Sequence, residues 1–309
     1  MFQPDPWGIL AIIAVAMSWT LAVVTFRASM AGSVGRKLSL LLVIEGLTLA
    51  SSSAPLFILR YRAEFLDAHP LYTQFTNYLH LFGDCAMLAL YPVFLSVALD
   101  TQLTRPFTRR DMRAALAAVA VSLYALVAFT PWQMEGISLL FLCLMATFIY
   151  AFTASFLAWR TATGLARSRA FVFVLAFGFR DLCWGYNYAY ATVEMWLGRV
   201  PLAEGVDTGF MAYILGTLIA VPLIAYGILR TQLFDIDLRI RWTIKQSTFA
   251  ACVVFISFVV SEGVEWLVSS SLGNLWGLVA AAVAVLFLRP LQQVSERVVS
   301  AIMPNTRDT

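Results

Sequence analysis

The chain carries little charge for its length. Only 13% of its 309 residues are charged, whereas 61% are hydrophobic and the mean hydropathy is +0.79. A soluble domain has about 25% charged residues, so this composition excludes an ordinary soluble fold. It predicts a polytopic membrane protein whose main partner is the lipid bilayer. No nucleic-acid partner is expected, because membrane orientation accounts for the basic residues.

The scarcity of lysine, histidine and cysteine excludes further classes. A retinal Schiff base needs an intramembrane lysine, but Lys37 and Lys245 both fall in predicted cytoplasmic loops. His69 and His80 are too few to support a bis-histidine haem, and no HExxH or GxSxG motif occurs. All four cysteines fall within predicted spans, which favours packing over an extracellular disulfide framework. We therefore expect no cofactor, no metal and no enzymatic activity.

Long apolar runs, by contrast, are abundant. A helix needs about 20 apolar residues to cross a hydrocarbon core of about 30 Å. Runs of roughly this length predict an all-α protein with nine transmembrane helices. They lie at 7–26, 38–59, 77–99, 114–130, 137–158, 170–192, 208–229, 247–269 and 275–289.

Basic residues fall on alternate sides of these runs. Seventeen of the 21 Lys and Arg residues lie in the loops 27–37, 100–113, 160–169 and 230–245 or in the tail from Arg289. Three lie on the opposite side, and Arg180 lies inside a predicted span. Because Lys and Arg near span ends are retained in the cytoplasm, we expect the N-terminus outside and the C-terminus in the cytoplasm.

Residues 230–245, RTQLFDIDLRIRWTIK, alternate polar and apolar side chains between two apolar runs. A two-residue period is typical of a strand, but a single strand at a bilayer surface leaves its backbone groups unpaired. We therefore expect an interfacial helix that begins near Asp235, with Asp237 favourably placed against the helix dipole. Arg239 and Arg241 then lie at the cytoplasmic headgroups.

The string ILRTQLFDIDLRIRWT resembles the signature that follows the seven-helix membrane region of many bacterial sensor histidine kinases. The tail LRPLQQVSERVVSAIMP is similar to the exit of that family, with Arg-Pro after the last span and then an amphipathic helix. The resemblance implies a seven-helix sensor body at 1–229, a connector at 230–246, two further spans at 247–289 and an amphipathic cytoplasmic tail at 290–309. It also implies a homodimer in the bacterial inner membrane.

The family's kinase domain does not follow in this sequence. No histidine-bearing phosphoacceptor helix and no glycine-rich ATP lid come after the last span, so we expect no kinase activity. The implied function is a sensor that perceives a small or lipophilic ligand and relays it to a cytoplasmic output domain or partner. Asp235, Asp237, Arg239 and Arg241 are the expected signal-coupling residues. A plain interfacial linker explains the same segment equally well.

Ionisable residues inside the predicted spans are the candidate functional residues, because a charge in hydrocarbon is costly and normally faces a partner within the bundle. His80 and Asp84 share one face of the third helix. Adjacent helical residues diverge by about 100°, so Arg180 and Asp181 are not expected to neutralise each other. We expect Asp84 to be the partner of Arg180, and Glu45 to be within reach of arginines from the cytoplasmic loops.

Two interpretations of these residues stay open. One is a polar cavity that opens outward and binds a small amphipathic ligand. Its ligand-binding residues are expected to be His80, Asp84, Arg180, Asp181, Trp184 and Asn187. The other is a structural Arg–Asp pair beneath a belt of interfacial aromatic residues.

Other functions also fit the intramembrane charges. A relay of Arg180, Asp181, Asp84 and Glu262 would suit a transporter or channel subunit. A structural subunit of a larger membrane complex is a further alternative. Solute flux through the purified protein in liposomes separates a transporter from a sensor, and copurified partners favour a subunit.

Overall fold

The computed structural model describes residues 6–29, 33–58, 69–99, 101–198 and 208–231. These residues form seven α-helices and one short 3-10 helix, with no strand among them. The helices are α1 (Pro6–Ala28), α2 (Val34–Ile58), α3 (Pro70–Ala98), α4 (Arg110–Phe129), α5 (Gln133–Thr161), α6 (Gly164–Trp196) and α7 (Thr208–Thr231), and the 3-10 helix is Arg105–Thr108. The predicted all-α fold class is confirmed for these ranges.

Each of the first seven predicted spans corresponds to one of these helices. Five of them, α1, α3, α4, α5 and α7, are long and apolar enough to cross a membrane. The other two, α2 and α6, carry the buried charged residues Glu45, Arg180 and Asp181. The last two predicted spans, most of the connector and the tail lie within 232–309, outside the described residues.

Several helices extend beyond the apolar runs that predicted them. Helix α3 begins at Pro70 rather than at residue 77, because proline suits the first helical position, where no backbone N–H is needed. Helix α6 continues past residue 192 to Trp196 and is followed by Gly198 in the left-handed conformation, with φ of 72°. An apolar run marks only the part of a helix inside the hydrocarbon, whereas the helix itself continues into the interface.

The seven helices pack as a closed ring. Each of α1, α2 and α3 contacts the next helix, α3 contacts α4 and α5, α5 contacts α6, α6 contacts α7, and α7 returns to α1. Side-chain hydroxyls link α1 to α2 in antiparallel register, since Ser18 donates to the carbonyl of Leu42 at 2.9 Å and Ser39 to that of Ala22 at 2.7 Å. Such bonds satisfy hydroxyl groups that lipid could not.

A close helix approach beside the site lies between α6 and α7. A Cβ atom placed on Gly216 would lie 2.8 Å from Cβ of Cys183 and 3.1 Å from Cδ1 of Trp184. A Cβ atom on Gly185 would meet Phe148 at an ordinary 3.9 Å. The absence of a side chain at Gly216 therefore lets the two backbones approach, as small residues do at membrane helix interfaces.

Replacing Gly216 with alanine is expected to separate α6 from α7. The added methyl should make Gly216→Ala less stable than Gly185→Ala by about 1–3 kcal/mol, because overpacking forces neighbours to move. Gly185→Ala is the matched control, since both substitutions raise helix propensity equally. Melting temperatures of the purified proteins in detergent measure the difference, and equal values would contradict the close approach.

Candidate functional site

A buried ion cluster joins three helices at the centre of the ring. The guanidinium of Arg180 is 0% exposed and donates from Nε and Nη2 to Oδ1 of Asp181, at 3.0 and 2.7 Å. Its Nη1 donates to Oε2 of Glu45 on α2 at 3.0 Å. The hydroxyl of Tyr91 on α3 donates to Oδ2 of Asp181 at 2.6 Å. These hydrogen bonds are charge-assisted and therefore stronger than neutral ones, and they join α2, α3 and α6.

Aromatic rings enclose the guanidinium. Cζ of Arg180 lies 4.7 Å from the ring centre of Tyr91, 4.8 Å from that of Phe177 and 5.3 Å from that of Trp184. All three distances are short enough for cation–π attraction, which grows when water is excluded. The rings therefore offset part of the hydration that the cation loses on burial.

The ion cluster contains two carboxyl groups for one guanidinium. Glu45 is 0% exposed and Asp181 is 4% exposed. Thr217 of α7 lies beside the Glu45 carboxyl, but Oε1 of Glu45 makes no hydrogen bond of standard geometry to a described residue. A buried charge with incomplete partners costs several kcal/mol. Removing the charge of Glu45 should therefore destabilise the protein less than removing the charge of Arg180.

The expected partnership of Arg180 with Asp84 is wrong. Arg180 binds Asp181, its neighbour in sequence, although their Cα–Cβ directions diverge by about 100°. The long arginine side chain closes this angle, and both faces of α6 at this level are buried, so neither residue points to lipid. Glu45, which we expected to meet loop arginines, is the second partner of Arg180.

A second polar cluster lies about two helical turns closer to the end of the ring where α3 begins. Asp84 is 1% exposed and accepts a hydrogen bond from the Tyr188 hydroxyl at 2.6 Å. Nε2 of His80 lies 3.5 Å from the other carboxyl oxygen of Asp84. Nδ1 of His80 lies 3.0 Å from the carbonyl oxygen of Thr48. This second cluster also joins α2, α3 and α6.

The carbonyl of Thr48 fixes the protonation of one ring nitrogen of His80. A carbonyl oxygen only accepts, so Nδ1 carries the hydrogen and donates it. Nε2 is the ring nitrogen that faces the Asp84 carboxyl group.

A cavity of about 770 Å³ opens beside the second cluster. It lies at the end of the ring where α3, α5 and α7 begin. Its polar lining includes Ser51, Ser52, Gln74, Asn77, His80, Asp84, Gln133 and Asn187. Its apolar and aromatic lining includes Ile137, Leu140, Phe141, Phe210 and Tyr213. Small-molecule sites commonly have volumes of about 300–1,000 Å³ and a similar mixture of side chains.

Half of the predicted ligand-binding residues line this cavity, namely His80, Asp84 and Asn187. Arg180, Asp181 and Trp184 do not line it, because they lie deeper, in and around the ion cluster. Trp184 connects the surroundings of the ion cluster to the cavity wall. Its Nε1 donates to Oγ1 of Thr217 at 3.3 Å, and its ring lies 4.4 Å from that of Tyr213, which lines the cavity.

Sequence reasoning missed the acidic partners of two tyrosines. Tyr91 and Tyr188 lie in apolar runs, where a tyrosine resembles a packing or interfacial residue. The spacing of Arg180, Trp184 and Tyr188 at four-residue intervals places all three on one helix face, and this was the one available signal. The carbonyl of Thr48 is a backbone group, so no side-chain pattern could reveal its role.

The predicted signal-coupling residues lie outside the described residues, so their role stays a prediction. They are Asp235, Asp237, Arg239 and Arg241. Within the described ranges, no group of three or more His, Cys, Asp or Glu side chains could hold a metal ion.

Removal of the buried cation is expected to be the most damaging single change in the ion cluster. Arg180→Met should lower the free energy of unfolding by about 3–5 kcal/mol, because two buried carboxyl groups lose their cation. Glu45→Gln should cost less than about 1 kcal/mol, since the glutamine carbonyl still accepts from Nη1 and no charge is left in excess. Thermal unfolding in detergent compares the two, and equal losses would contradict the assignment.

The second cluster gives a matched pair of tyrosine substitutions on α6. Tyr188→Phe should destabilise the protein by about 1–3 kcal/mol, because Asp84 loses its buried donor. Tyr186→Phe is the control, since Tyr186 is 48% exposed and, among the described residues, its hydroxyl bonds the exposed hydroxyl of Thr208. Its effect should stay within about 0.5 kcal/mol. A larger loss of melting temperature in the control would refute the buried hydrogen bond.

Comparison with protein-family models, with curated proteins and with solved structures finds no match for this chain. The resemblance to kinase sensor regions therefore depends on its sequence strings alone. The function has to be argued from the two polar clusters and the cavity beside them.

Proposed function

We propose that the chain is a membrane-embedded sensor module that binds a small amphipathic ligand and relays binding to a cytoplasmic output domain or partner. One observation carries the proposal: the wall of the cavity includes the buried hydrogen bond between Tyr188 and Asp84. A ligand in the cavity therefore lies beside the bond that joins α3 and α6, and beside His80, which contacts α2 through the carbonyl of Thr48. If it binds one arrangement of these helices better than another, it shifts their populations.

Helix α6 connects the cavity to the ion cluster and to α7. Tyr188, Trp184 and Arg180 occupy one face of α6, from the cavity wall to the centre of the ring. Trp184 bonds Thr217 of α7, and the chain continues from α7 into the connector at 230–246. A displacement of α6 would thus move the helix that precedes the connector, where Asp235, Asp237, Arg239 and Arg241 would receive it.

Prolines weaken α3, which belongs to both clusters, and α7, whose Thr217 lies beside Glu45. Pro92 lies inside α3 next to Tyr91, and Pro222 lies inside α7, five residues after Thr217. Each proline removes one backbone hydrogen bond from its helix, and prolines are common sites of helix bending. Bending at these points provides a physical route for the relay.

The membrane arrangement is part of the proposal. The basic loops support nine spans with the N-terminus outside and the C-terminus in the cytoplasm. In this orientation, the cavity opens at the external end of the ring. The resemblance of 230–304 to kinase sensor regions supports a bacterial inner-membrane location and a homodimer.

The extra carboxyl group of the ion cluster favours a second candidate, a transporter or channel subunit. Buried carboxyl groups that gain and lose protons or cations are common in membrane transport. Proton or cation flux into liposomes that contain the purified protein, abolished by Glu45→Gln, would favour this candidate over the sensor.

The sensor proposal predicts that filling the cavity changes the opposite end of the ring. Ala191 lines the cavity, so the indole of Ala191→Trp should act as a permanent occupant. Spin labels at Gln102 and Ser168, in a background without the native cysteines, report the distance between the α3–α4 connection and the start of α6. We expect this distance to change by about 1–2 Å, the usual size of helix shifts.

Ala118→Trp is the control, because Ala118 is exposed on α4, away from the cavity. It should leave the distance as in the parent protein. An unchanged distance in folded Ala191→Trp would contradict the relay.

A further inference from the structure

We infer that the cavity binds an uncharged amphipathic molecule whose head group is of the amide type, with both a hydrogen-bond donor and an acceptor. The inference rests on the proposed function and adds the chemical class of the ligand. It follows from the charges of the cavity wall, from its unused polar groups and from its apolar side.

The charge of the wall disfavours an anionic head group. Among the described residues, the lining contains no lysine or arginine. The carboxyl group of Asp84 also lines the cavity, and the ring of His80 already contacts it at 3.5 Å. A carboxylate or phosphate in the cavity would therefore lose its hydration without gaining a cation.

A cationic head group is disfavoured for a different reason. The carboxyl group of Asp84 is the one acidic side chain on the described wall, and it is 1% exposed. Tyr188 already donates to one of its oxygens, and His80 faces the other. An ammonium group would have to displace one of these partners before it reached the carboxyl group.

Three amide side chains on the wall offer free hydrogen-bonding groups. Asn77, Gln133 and Asn187 come from α3, α5 and α6, and none of them bonds another described residue. Each presents one carbonyl acceptor and two N–H donors. A head group that both donates and accepts is the one that matches all three.

The wall also offers apolar surface to a short hydrocarbon tail. Ile137 and Phe141 of α5 line the cavity and are partly exposed. Their burial by the tail would add affinity in proportion to the apolar area that is covered. Head and tail together define a small amphiphile rather than a fully polar solute.

Three probes with eight carbon atoms each test the head group: octanamide, octanoate and octylamine. Binding to the purified full-length protein in nanodiscs is measured at pH 7.5, and only the saturable part above nanodiscs without protein is counted. We expect octanamide to bind at least about tenfold more tightly than either charged probe, because a carboxylate meets no lysine or arginine on the described wall and an ammonium group must displace a partner of Asp84.

Two substitutions locate the binding. Asn77→Leu and Asn187→Leu should each weaken octanamide about tenfold, whereas Gln102→Leu, an exposed amide at the opposite end of the ring, should not change it. Asn187→Asp adds a negative charge to the wall and should reverse the preference toward octylamine. Melting temperatures confirm that each variant is folded.

Octanoate or octylamine binding as tightly as octanamide would overturn the inference, and so would the absence of saturable octanamide binding. Unchanged octanamide affinity in both asparagine variants would overturn it as well. These outcomes are distinct from failure of the sensor proposal, because Ala191→Trp tests the relay without any added probe.

Discussion

The burial of one cation constrains the whole ring of helices. A guanidinium in a water-free interior costs several kcal/mol unless its donors are matched. Arg180 satisfies this requirement with Asp181 from its own helix and Glu45 from α2, while Tyr91 of α3 binds Asp181 in turn. Because these residues come from three different helices, the bonds that neutralise the charge also fix α2, α3 and α6 relative to one another.

The two polar clusters have different access to the outside. The ion cluster is sealed, since Arg180 and Glu45 are 0% exposed. The cluster of His80, Asp84 and Tyr188 borders the cavity, and His80 is 29% exposed there. A ligand can therefore act on one set of interhelical bonds while the other keeps the helices together. In the proposed relay, coupling between them would travel through packed side chains on α6, with no need for an open path through the protein.

The sequence was sufficient to predict the helices and the buried ionisable residues, but not the partners of those residues. Lipid demands long apolar helices, so run length alone located all seven described helices. The cost of an intramembrane charge singled out Asp84, Arg180 and Asp181 in the same way. Which side chains meet depends on the order of helices around the ring and on side-chain reach. The local sequence encodes neither the helix order nor the side-chain contacts. The predicted Arg180–Asp84 pairing was therefore wrong, and the position of Trp184 beside the ion cluster was not predicted.

The central claim is that Arg180 is held by Glu45 and Asp181 and is independent of Asp84. Double-mutant cycles on unfolding in detergent measure these couplings directly. Arg180→Met combined with Glu45→Gln should show a coupling free energy of about 1–3 kcal/mol, whereas Arg180→Met combined with Asp84→Asn should be additive within about 0.5 kcal/mol. A larger coupling of Arg180 to Asp84 than to Glu45 would contradict the account.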